Sequence, residues 1–512
     1  MTKNKSIIAL SLILIFALAL ILRTLFLQNL SLTFGYDQAR DAFIAQQIAN
    51  GDFKILGPPS SAPGLYHGVF YYYFLAIPYA LSKSPIITAY WVALWNALTV
   101  FTVYALAWFM TRKQGAAILA SLLFAVSWES TQYATWLSNP TIAVWTVPLI
   151  YLGLWAWINP SASSGQGKKW GPIMCGVGLG LSAQADIFLA YHLPPVVLWL
   201  WIASKNITKK SILMFTLSLV ASVSTLIVSE FKFGFKGLQG VMHLATTQDA
   251  IVLSRGLGDF IVLFFNQIGK LFAYSSYPAN VGLGGGLILL LVATSLISWG
   301  KKQKTSWQPF LATWLFSHIT IVTVGGTSTP FLNVGTGAAV SILLGITLWQ
   351  MWKTKRILFV ALLAAILFGN LSKIFKENPR GSTIFAIQKD MLLSKQLGAV
   401  DYTYNEAKGE PFTINTITSP LYINIVWTYL YKWYGLPKYG YVPDWHGPEQ
   451  WGQVDTLNKV NKRSETYFLI KEPLDGIPTG FVEDIEREEG YFSKVSDEKS
   501  FGSLVVQKRQ VQ

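Results

Sequence analysis

The stretch FGYDQARDAF, residues 34–43, follows directly on the first apolar segment of the chain and places Asp37 and Asp41 four residues apart. Residues with this spacing lie on the same face of a helix. The stretch therefore predicts a helix with a doubly acidic face where a hydrophobic segment meets water. Two interpretations compete: acidic residues near a helix start favour the helix dipole without any further role, or the two carboxylates take part in chemistry.

The composition indicates the setting of this helix. Of the 512 residues, 52% are hydrophobic, 14% are aromatic and only 13% are charged, whereas a soluble domain carries roughly 25% charged residues. This balance predicts a polytopic membrane protein. The formal net charge of +14 is concentrated in short loops, which is typical of membrane topology and not of a nucleic-acid-binding face. The single cysteine, Cys175, excludes a disulfide framework.

The N-terminal apolar segment, residues 7–27, is interrupted only by Arg23, whose long side chain can reach the membrane interface. The segment exceeds the roughly 7–15 residues of a signal-peptide core, and no small-x-small cleavage site follows it. We therefore expect an uncleaved first span. Further apolar runs that can cross the membrane as helices lie near residues 86–110, 114–129, 140–158, 171–187, 189–203, 211–229, 281–299, 307–325, 332–352 and 357–371.

The basic residues of the connections predict the orientation of these spans. They fall in alternate loops, at Lys3 and Lys5, Arg112 and Lys113, Lys168 and Lys169, Lys205, Lys209 and Lys210, Lys301, Lys302 and Lys304, and Lys353, Lys355 and Arg356. Under the positive-inside rule all these loops are cytoplasmic. We expect a mainly α-helical protein of about eleven transmembrane helices in the cell membrane, with the N-terminus inside and the C-terminus outside.

The composition changes after residue 372. Residues 383–408 have a helical pattern, and FTINTI (412–417), TYFLIK (466–471) and GSLVVQK (502–508) have the alternation and β-branched content of strands. The sequence thus predicts two domains, a transmembrane domain over residues 1–372 and a small extracytoplasmic α/β domain over residues 373–512.

The first external loop, residues 28–85, is long, and loops of this length are usually functional. Its helix DQARDAFIAQQIANG (37–51) separates apolar from charged residues, which suits a helix lying along the bilayer surface. A Gly/Pro-rich turn, His67, the run Tyr71–Tyr73 and a second interfacial apolar segment follow. The aromatic run is typical of an interfacial belt, although aromatic faces also stack on sugars.

With YDQARDAFIAQQIANGD and LYHGVFYYY, this loop resembles that of the GT-C superfamily of membrane glycosyltransferases. The resemblance is strongest to the group of protein O-mannosyltransferases, aminoarabinose transferases and RgtA/B/C/D-like enzymes. It covers residues 7–370 and does not extend to the tail. Two positions depart from the family pattern: Gln38 stands where Glu is common, and His67-Gly68-Val69 replaces a version that contains proline.

The resemblance implies an enzyme that moves a sugar, with inversion, from a polyprenyl-phosphate lipid to an acceptor glycan, lipid or protein on the outer face of the membrane. Asp37 matches the acidic residue that the family has just after the first span, and we expect it to be the catalytic residue, because a carboxylate can act as general base toward a hydroxyl. We expect Asp41, Arg40 and His67 to support it or to orient the acceptor. Asp37 and Glu129 are the candidate ligands of a divalent metal ion, and Arg255 and Lys270 are the candidate phosphate-binding residues.

Simpler structural roles stay open for these residues. Glu129 suits a carboxylate at a helix end, and Arg255 and Lys270 suit interfacial anchors. For the whole chain, the alternative is a secondary transporter or lipid flippase, which also needs many spans but predicts repeated halves and interrupted helices near the membrane midplane.

Overall fold

A computed structural model describes residues 2–60, 64–160, 167–240, 242, 256–277, 280–299, 305–319, 330–384, 390–475 and 477–512. The α-helices are Thr2–Thr24 (α1), Tyr36–Ala49 (α2), Phe70–Leu81 (α3), Pro85–Thr111 (α4), Gln114–Val126 (α5), Trp128–Ala134 (α6), Ala143–Ile158 (α7), Gly167–Ala185 (α8), Leu193–Ile202 (α9), Lys209–Ser222 (α10), Ser224–Lys232 (α11), Leu257–Ser275 (α12), Val281–Ile297 (α13), Trp307–Leu315 (α14), Gly337–Thr354 (α15), Arg356–Glu377 (α16), Leu393–Ala407 (α17), Ile425–Leu430 (α18), Leu436–Tyr439 (α19) and Thr479–Phe492 (α20). Short 3₁₀ turns occur at Leu27–Asn29, Asn139–Ile142, Ile187–His192, Ser204–Asn206, Pro330–Asn333 and Asn378–Arg380, and a π turn at Tyr431–Gly435.

The apolar helices form a multi-pass membrane bundle. Within the described residues, four helical segments are long and apolar enough to cross a membrane alone, namely Lys5–Asn29, Pro85–Thr111, Asn139–Ile158 and Arg356–Arg380. Other helices lie in the described parts of the remaining predicted spans. The prediction of a mainly helical membrane protein with a small C-terminal sheet is confirmed, while the number of crossings stays a prediction.

Two helices differ from the expected pattern. The span predicted over 211–229 is a bent pair, because α10 and α11 meet at 56° around Val223. Helix α12 lies between the predicted spans 211–229 and 281–299, where the sequence predicts external loop. It combines an apolar face with Asp259, Gln267 and Lys270, so a search for continuous apolar runs passes over it. It packs against α13 and α15.

Arg23 does not reach the membrane interface, as its position in the first apolar segment suggested. It is buried, and its Nε donates to Asn96 Oδ1 at 2.6 Å while Nη2 donates to Ser130 Oγ at 2.7 Å. Its Nη1 donates to the carbonyls of Ala19 and Ala125. The guanidinium therefore joins α1, α4 and the α5–α6 junction. These acceptors compensate for the hydration that the buried charge loses.

The C-terminal sheet has the strand order β2-β1-β3-β5-β4. Its strands are Thr413–Ile417 (β1), Asp444–Trp445 (β2), Thr466–Lys471 (β3), Ser493–Phe501 (β4) and Leu504–Val511 (β5). Strand β1 runs parallel to β2 and β3, whereas β5 pairs antiparallel with β3 and β4. Three strands fall where the sequence predicted them. Strand β4, SKVSDEKSF, has an exposed and charged edge, which hides its strand character but blocks edge-to-edge pairing.

The tail packs directly on the first loop. The helix predicted over 383–408 begins only at Leu393 in the described part of this segment, because Leu392 forms a β-bridge with Thr33 and the Met391 carbonyl accepts from Phe34 N–H at 2.9 Å. One hydrophobic cluster contains α2, α3, α17, α18 and the inner face of the sheet. The domain boundary near residue 372 stays a prediction, and the two sides of it share a core.

Candidate active site

The local sequence sets the start of α2. Gly35 is the N-cap residue, and its N–H donates to Gln38 Oε1 at 2.9 Å. The other end of the same amide donates from Nε2 to the Leu137 carbonyl at 3.2 Å. Gln38, which stands where the resembled family commonly has Glu, therefore caps α2 and ties it to the segment after α6. The first turn of this helix carries Asp37.

Arg40 lies between the two carboxylates that the sequence singled out. Its Nη1 is 2.9 Å from Asp37 Oδ1, and its Nη2 is 2.7 Å from Asp41 Oδ1. Its Nε also donates to Asp41 Oδ1 at 2.8 Å. The planar guanidinium can hold both carboxylates at once, a geometry that a lysine ammonium cannot reproduce. The Asp37 side chain is 43% exposed, while that of Asp41 is fully buried.

The acidic face is therefore largely covered. Helix α3 packs along α2, and its Tyr71 and Tyr72 are buried beside the cluster instead of forming an interfacial belt. Burial raises the pKa of Asp41 to about 7, which Arg40 opposes by favouring the carboxylate. Only Asp37, of the two acidic residues, is available to a substrate.

Helix α2 is held from the tail side by Tyr429 on α18. The Tyr429 ring lies 5.1 Å from the ring of Phe34 and 5.2 Å from that of Phe43, centroid to centroid. Gln396 Nε2 donates to the Phe34 carbonyl at 2.7 Å. The tail thus fixes both ends of the segment that carries Asp37, Arg40 and Asp41.

A cleft of about 440 Å³ opens beside this cluster. Its cationic side chains are Arg40, Lys54 and Lys232, and Lys54 is 2.5 Å from Asp52. Asp52 also lines the cleft, and the other lining residues are mainly apolar or aromatic: Ile44, Phe53, Ile55, Leu56, Gly57, Pro59, Tyr66, Tyr72 and Phe233. The cleft thus combines three cationic side chains and one carboxylate with an apolar wall, an excess of positive charge that suits a phosphate attached to a hydrocarbon chain.

Glu129 belongs to a different cluster. It is buried at the start of α6, and Ser275 on α12 donates a short hydrogen bond to its Oε2. The adjacent Trp128 ring packs edge-on against Tyr274, and Lys373 lies 3.5 Å from the Trp128 ring centroid. Among the described residues, no hydrogen bond or ion pair joins Glu129 to Asp37.

His67 faces away from the Asp37 cluster and toward Asp186. Its Nδ1 is 3.6 Å from Asp186 Oδ1 and 3.4 Å from Ile187 N. The Ile187 N–H can donate only to an unprotonated Nδ1, so the ion pair and this hydrogen bond belong to different protonation states. His67 joins the first loop to the α8–α9 turn.

Of the two predicted phosphate-binding residues, only Lys270 lies in the part of the chain that the structure describes. Arg255 lies outside the described residues. Lys270 lies one turn before Tyr274 on α12, the helix that brings Ser275 to Glu129.

Two lysines that line the cleft, Lys54 and Lys232, were not predicted from the sequence. Lys54 lies two residues after Asp52 in the first loop, and no motif there predicts a phosphate-binding role. Lys232 is the last residue of α11, far along the chain from α2, and no local sequence pattern indicates that it lines the cleft.

The residues predicted to hold a divalent metal ion, Asp37 and Glu129, each contact another side chain. Arg40 binds Asp37, and Ser275 donates to Glu129. In the parts of the chain that the structure describes, no three His, Cys, Asp or Glu side chains form a group that could hold a metal ion. The metal ion stays a prediction.

Two solved proteins have a similar fold. ArnT from Cupriavidus metallidurans bound to undecaprenyl phosphate superposes with a TM-score of 0.58 at 12% identity, over 97% of this chain and 97% of that chain. The apo oligosaccharyltransferase of Archaeoglobus fulgidus gives 0.50 at 12% identity, over 80% of this chain and 62% of that chain. No protein-family model matches the sequence, and no curated protein matches it significantly. The chain therefore has the fold of ArnT.

Proposed function

We propose that this protein transfers a sugar from a polyprenyl-phosphate lipid to an acceptor on the outer face of the membrane, with inversion at the sugar carbon. The observation that carries the proposal is the position of Arg40, which binds the accessible carboxylate of Asp37 and also lines the cleft that contains Lys54, Lys232 and an apolar wall. The fold supports it, because the ArnT structure of the same architecture binds undecaprenyl phosphate.

The residues divide the chemistry as follows. One oxygen of Asp37 is fixed by Arg40, and the exposed carboxylate accepts the proton of the acceptor hydroxyl. The acceptor oxygen then bonds to the anomeric carbon as the bond from that carbon to the phosphate oxygen breaks. The lipid phosphate leaves with the electron pair, and Arg40, Lys54 and Lys232 stabilise its charge. Attack opposite the leaving phosphate inverts the carbon.

Asp41 has a supporting role in this proposal. It is buried, and two donors of Arg40 contact its Oδ1. Its negative charge orients the guanidinium toward Asp37 and the cleft. A divalent ion held by Asp37 or Glu129 stays a separate proposal, which chelation with EDTA tests: loss of transfer, restored by one added divalent metal, supports it, and full activity in EDTA contradicts it.

Membranes that contain the full chain, incubated with a panel of labelled polyprenyl-phosphate sugars, test the proposal. We expect one label to move onto an acceptor, and Asp37→Asn to lower that rate by about 10²–10⁴-fold. Asp41→Asn should lower it less. Asp259→Asn is the matched control, because Asp259 also lies in a first helical turn and accepts from a backbone N–H; losing such a helix-dipole partner costs only about 0.3–1 kcal/mol. Transfer by Asp37→Asn at the parental rate would reject the site.

One observation favours the alternative of a transporter or flippase. The 56° bend between α10 and α11 is an interrupted helix, as transporters have around their substrate sites. Sealed vesicles separate the two functions. A transporter moves the labelled lipid or sugar across the membrane with its bonds intact, whereas the proposed enzyme forms a new glycosidic bond.

A further inference from the structure

A second cleft lies at the edge of the C-terminal sheet, away from the Asp37 cluster. It has a volume of about 170 Å³ and lies beside the edge strand β2, within the loop that follows it. Its wall contains Trp445, Glu449, Gln450, Trp451, Thr456 and Lys459. Trp451 is 85% exposed, although an indole is among the side chains that gain most from burial. The fold itself therefore gives Trp451 no packing role.

The loop that presents Trp451 is firmly fixed. The Trp445 indole Nε1 donates to the Pro448 carbonyl at 2.9 Å. Gln450 Nε2 donates to the Tyr422 carbonyl at 2.7 Å, while its Oε1 accepts from Asn424 N–H at 2.9 Å. The residue directly before Trp451 is thus bonded on both ends of its amide. A surface held in place before binding loses less conformational entropy when a ligand arrives.

Polar side chains surround the exposed indole. Glu449 and Lys459 form an ion pair across the cleft, and Thr456 adds a hydroxyl to its wall. A membrane or an apolar protein surface would have to desolvate this pair, which is costly without replacement partners. A sugar ring has one face of C–H groups that stacks on an aromatic ring and a rim of hydroxyls that bonds to carboxylate, ammonium and hydroxyl groups.

We propose that the Trp451 cleft is a carbohydrate-binding subsite that holds a glycan chain on the tail. Its volume suits a small ring, because sites for larger organic ligands are about 300–1,000 Å³. Trp451 stacks on the sugar, and Glu449, Thr456 and Lys459 bond to its hydroxyls. The further assignment of this glycan as the acceptor rests on the proposed transfer function, whereas the binding itself does not.

Calorimetry on the full chain in nanodiscs tests the subsite with three probes: maltohexaose, chitohexaose and mannohexaose. We expect one of them to bind, and Trp451→Ala to weaken that binding by at least about tenfold. Tyr491→Ala is the matched control, because Tyr491 is also an exposed aromatic residue of the tail and lies on α20, outside the cleft; it should bind as the parent does.

The outcomes separate the inference from the function on which its second step rests. Binding that depends on Trp451 in a protein without transfer activity supports the subsite and contradicts the proposed function. Transfer activity without binding of any of the three oligosaccharides, or with equal binding by Trp451→Ala, overturns the subsite. Quenching of the Trp451 fluorescence by brominated lipids, measured as the difference between the parent and Trp451→Phe, would identify a membrane contact and would also overturn it.

Discussion

At the residue scale, Arg40 bridges Asp37 and Asp41, two carboxylates that lie in different environments. The four-residue spacing of Asp37 and Asp41 correctly indicated one helical face. It predicted a polar face turned to water, whereas Asp41 is fully buried and Arg40 nearly so. Helix α3 and the tail pack around α2, and a side chain's burial by segments that are distant in the sequence has no signature in its neighbours. The spacing that lets Arg40 contact Asp37 and Asp41 is local and could be predicted. The burial of Arg40 and Asp41 away from water could not.

The buried ion pair leads to a prediction about stability. Arg40→Ala leaves the Asp41 carboxylate buried without its guanidinium, so we expect a loss of about 3–5 kcal/mol. Adding Asp41→Asn removes the uncompensated charge and should recover part of the loss. Thermal unfolding in detergent measures both. Lys232→Ala, which removes an exposed cation from the same cleft, should stay within about 0.5 kcal/mol of the parent. Equal midpoints for the single and double variants would show that Arg40 does not compensate Asp41.

At the element scale, close helix packing depends on glycines that hydropathy does not distinguish. Helices α7 and α8 make the most extensive contact between two helices in the described bundle. A Cβ on Gly178 would lie 2.7 Å from Ile150 N and 3.0 Å from the Thr146 carbonyl oxygen. Small residues of this kind let membrane helices approach closely, because lipid tails give no hydrophobic drive for association.

Gly178→Ala should therefore lower the thermal midpoint, since overpacking typically costs about 1–3 kcal/mol. The matched control is Gly286→Ala on α13, where an added Cβ would meet nothing within 4 Å. That change should be neutral or stabilising by about 0.5–1 kcal/mol, because alanine is the better helix former. If both variants unfold at the same temperature, α7 and α8 are not as close as described.

The sheet leads to a prediction about pH. Glu472, directly after β3, is buried and accepts from Trp427 Nε1 and from Ser419 N–H, each at 3.0 Å. Burial nevertheless raises its pKa from 4.5 to about 7. Between those values the unfolded chain releases a proton that the folded chain keeps, so the free energy of unfolding falls as pH rises, by at most about 3 kcal/mol. The stabilisation is complete below about pH 4.5 and lost above about 7.

The Glu472→Gln side chain cannot ionise, so this variant should lack the part of the fall in unfolding free energy that Glu472 causes as pH rises. Thermal midpoints followed by tryptophan fluorescence between pH 4.5 and 8 measure it, with Glu488→Gln as the control, because that side chain is exposed on α20. The control should keep the parental slope. Parallel curves for Glu472→Gln and the parent would show that Glu472 is ionised in the folded protein throughout this range.

At the scale of the whole molecule, hydropathy and charge predicted the bundle and the sheet but not their contact. Alternating apolar and basic segments are local patterns, and they located most of the membrane helices to within a few residues, although not α12. The contacts of Phe34 with Met391 and Tyr429 join segments more than 350 residues apart. They depend on the complete path of the chain through the membrane. The same holds for Lys232, whose place in the cleft follows from the bend at α10–α11 and not from its own neighbours.

The contact between the first loop and the tail constrains the membrane topology. Because the segment after α1 and the segment after α16 share a core, they lie on the same side of the membrane. The chain therefore crosses an even number of times between them, and with α1 the total is odd. Eleven spans satisfy this condition. If α12 also crosses, a further crossing must accompany it, since twelve would place the tail on the side opposite to α2.

We accordingly predict that the first loop and the tail are both outside and that the basic loops are cytoplasmic. The experiment uses single cysteines in a Cys175→Ala background, a safe starting point because Cys175 is free and buried. Asp52→Cys in the first loop and Glu488→Cys in the tail should react with a membrane-impermeant maleimide on intact cells. Lys113→Cys, exposed between α4 and α5, should react only after permeabilisation. Labelling of Asp52→Cys and Glu488→Cys from opposite sides would contradict the shared core, whereas labelling of all three positions with the sides exchanged would keep the fold and reverse its orientation.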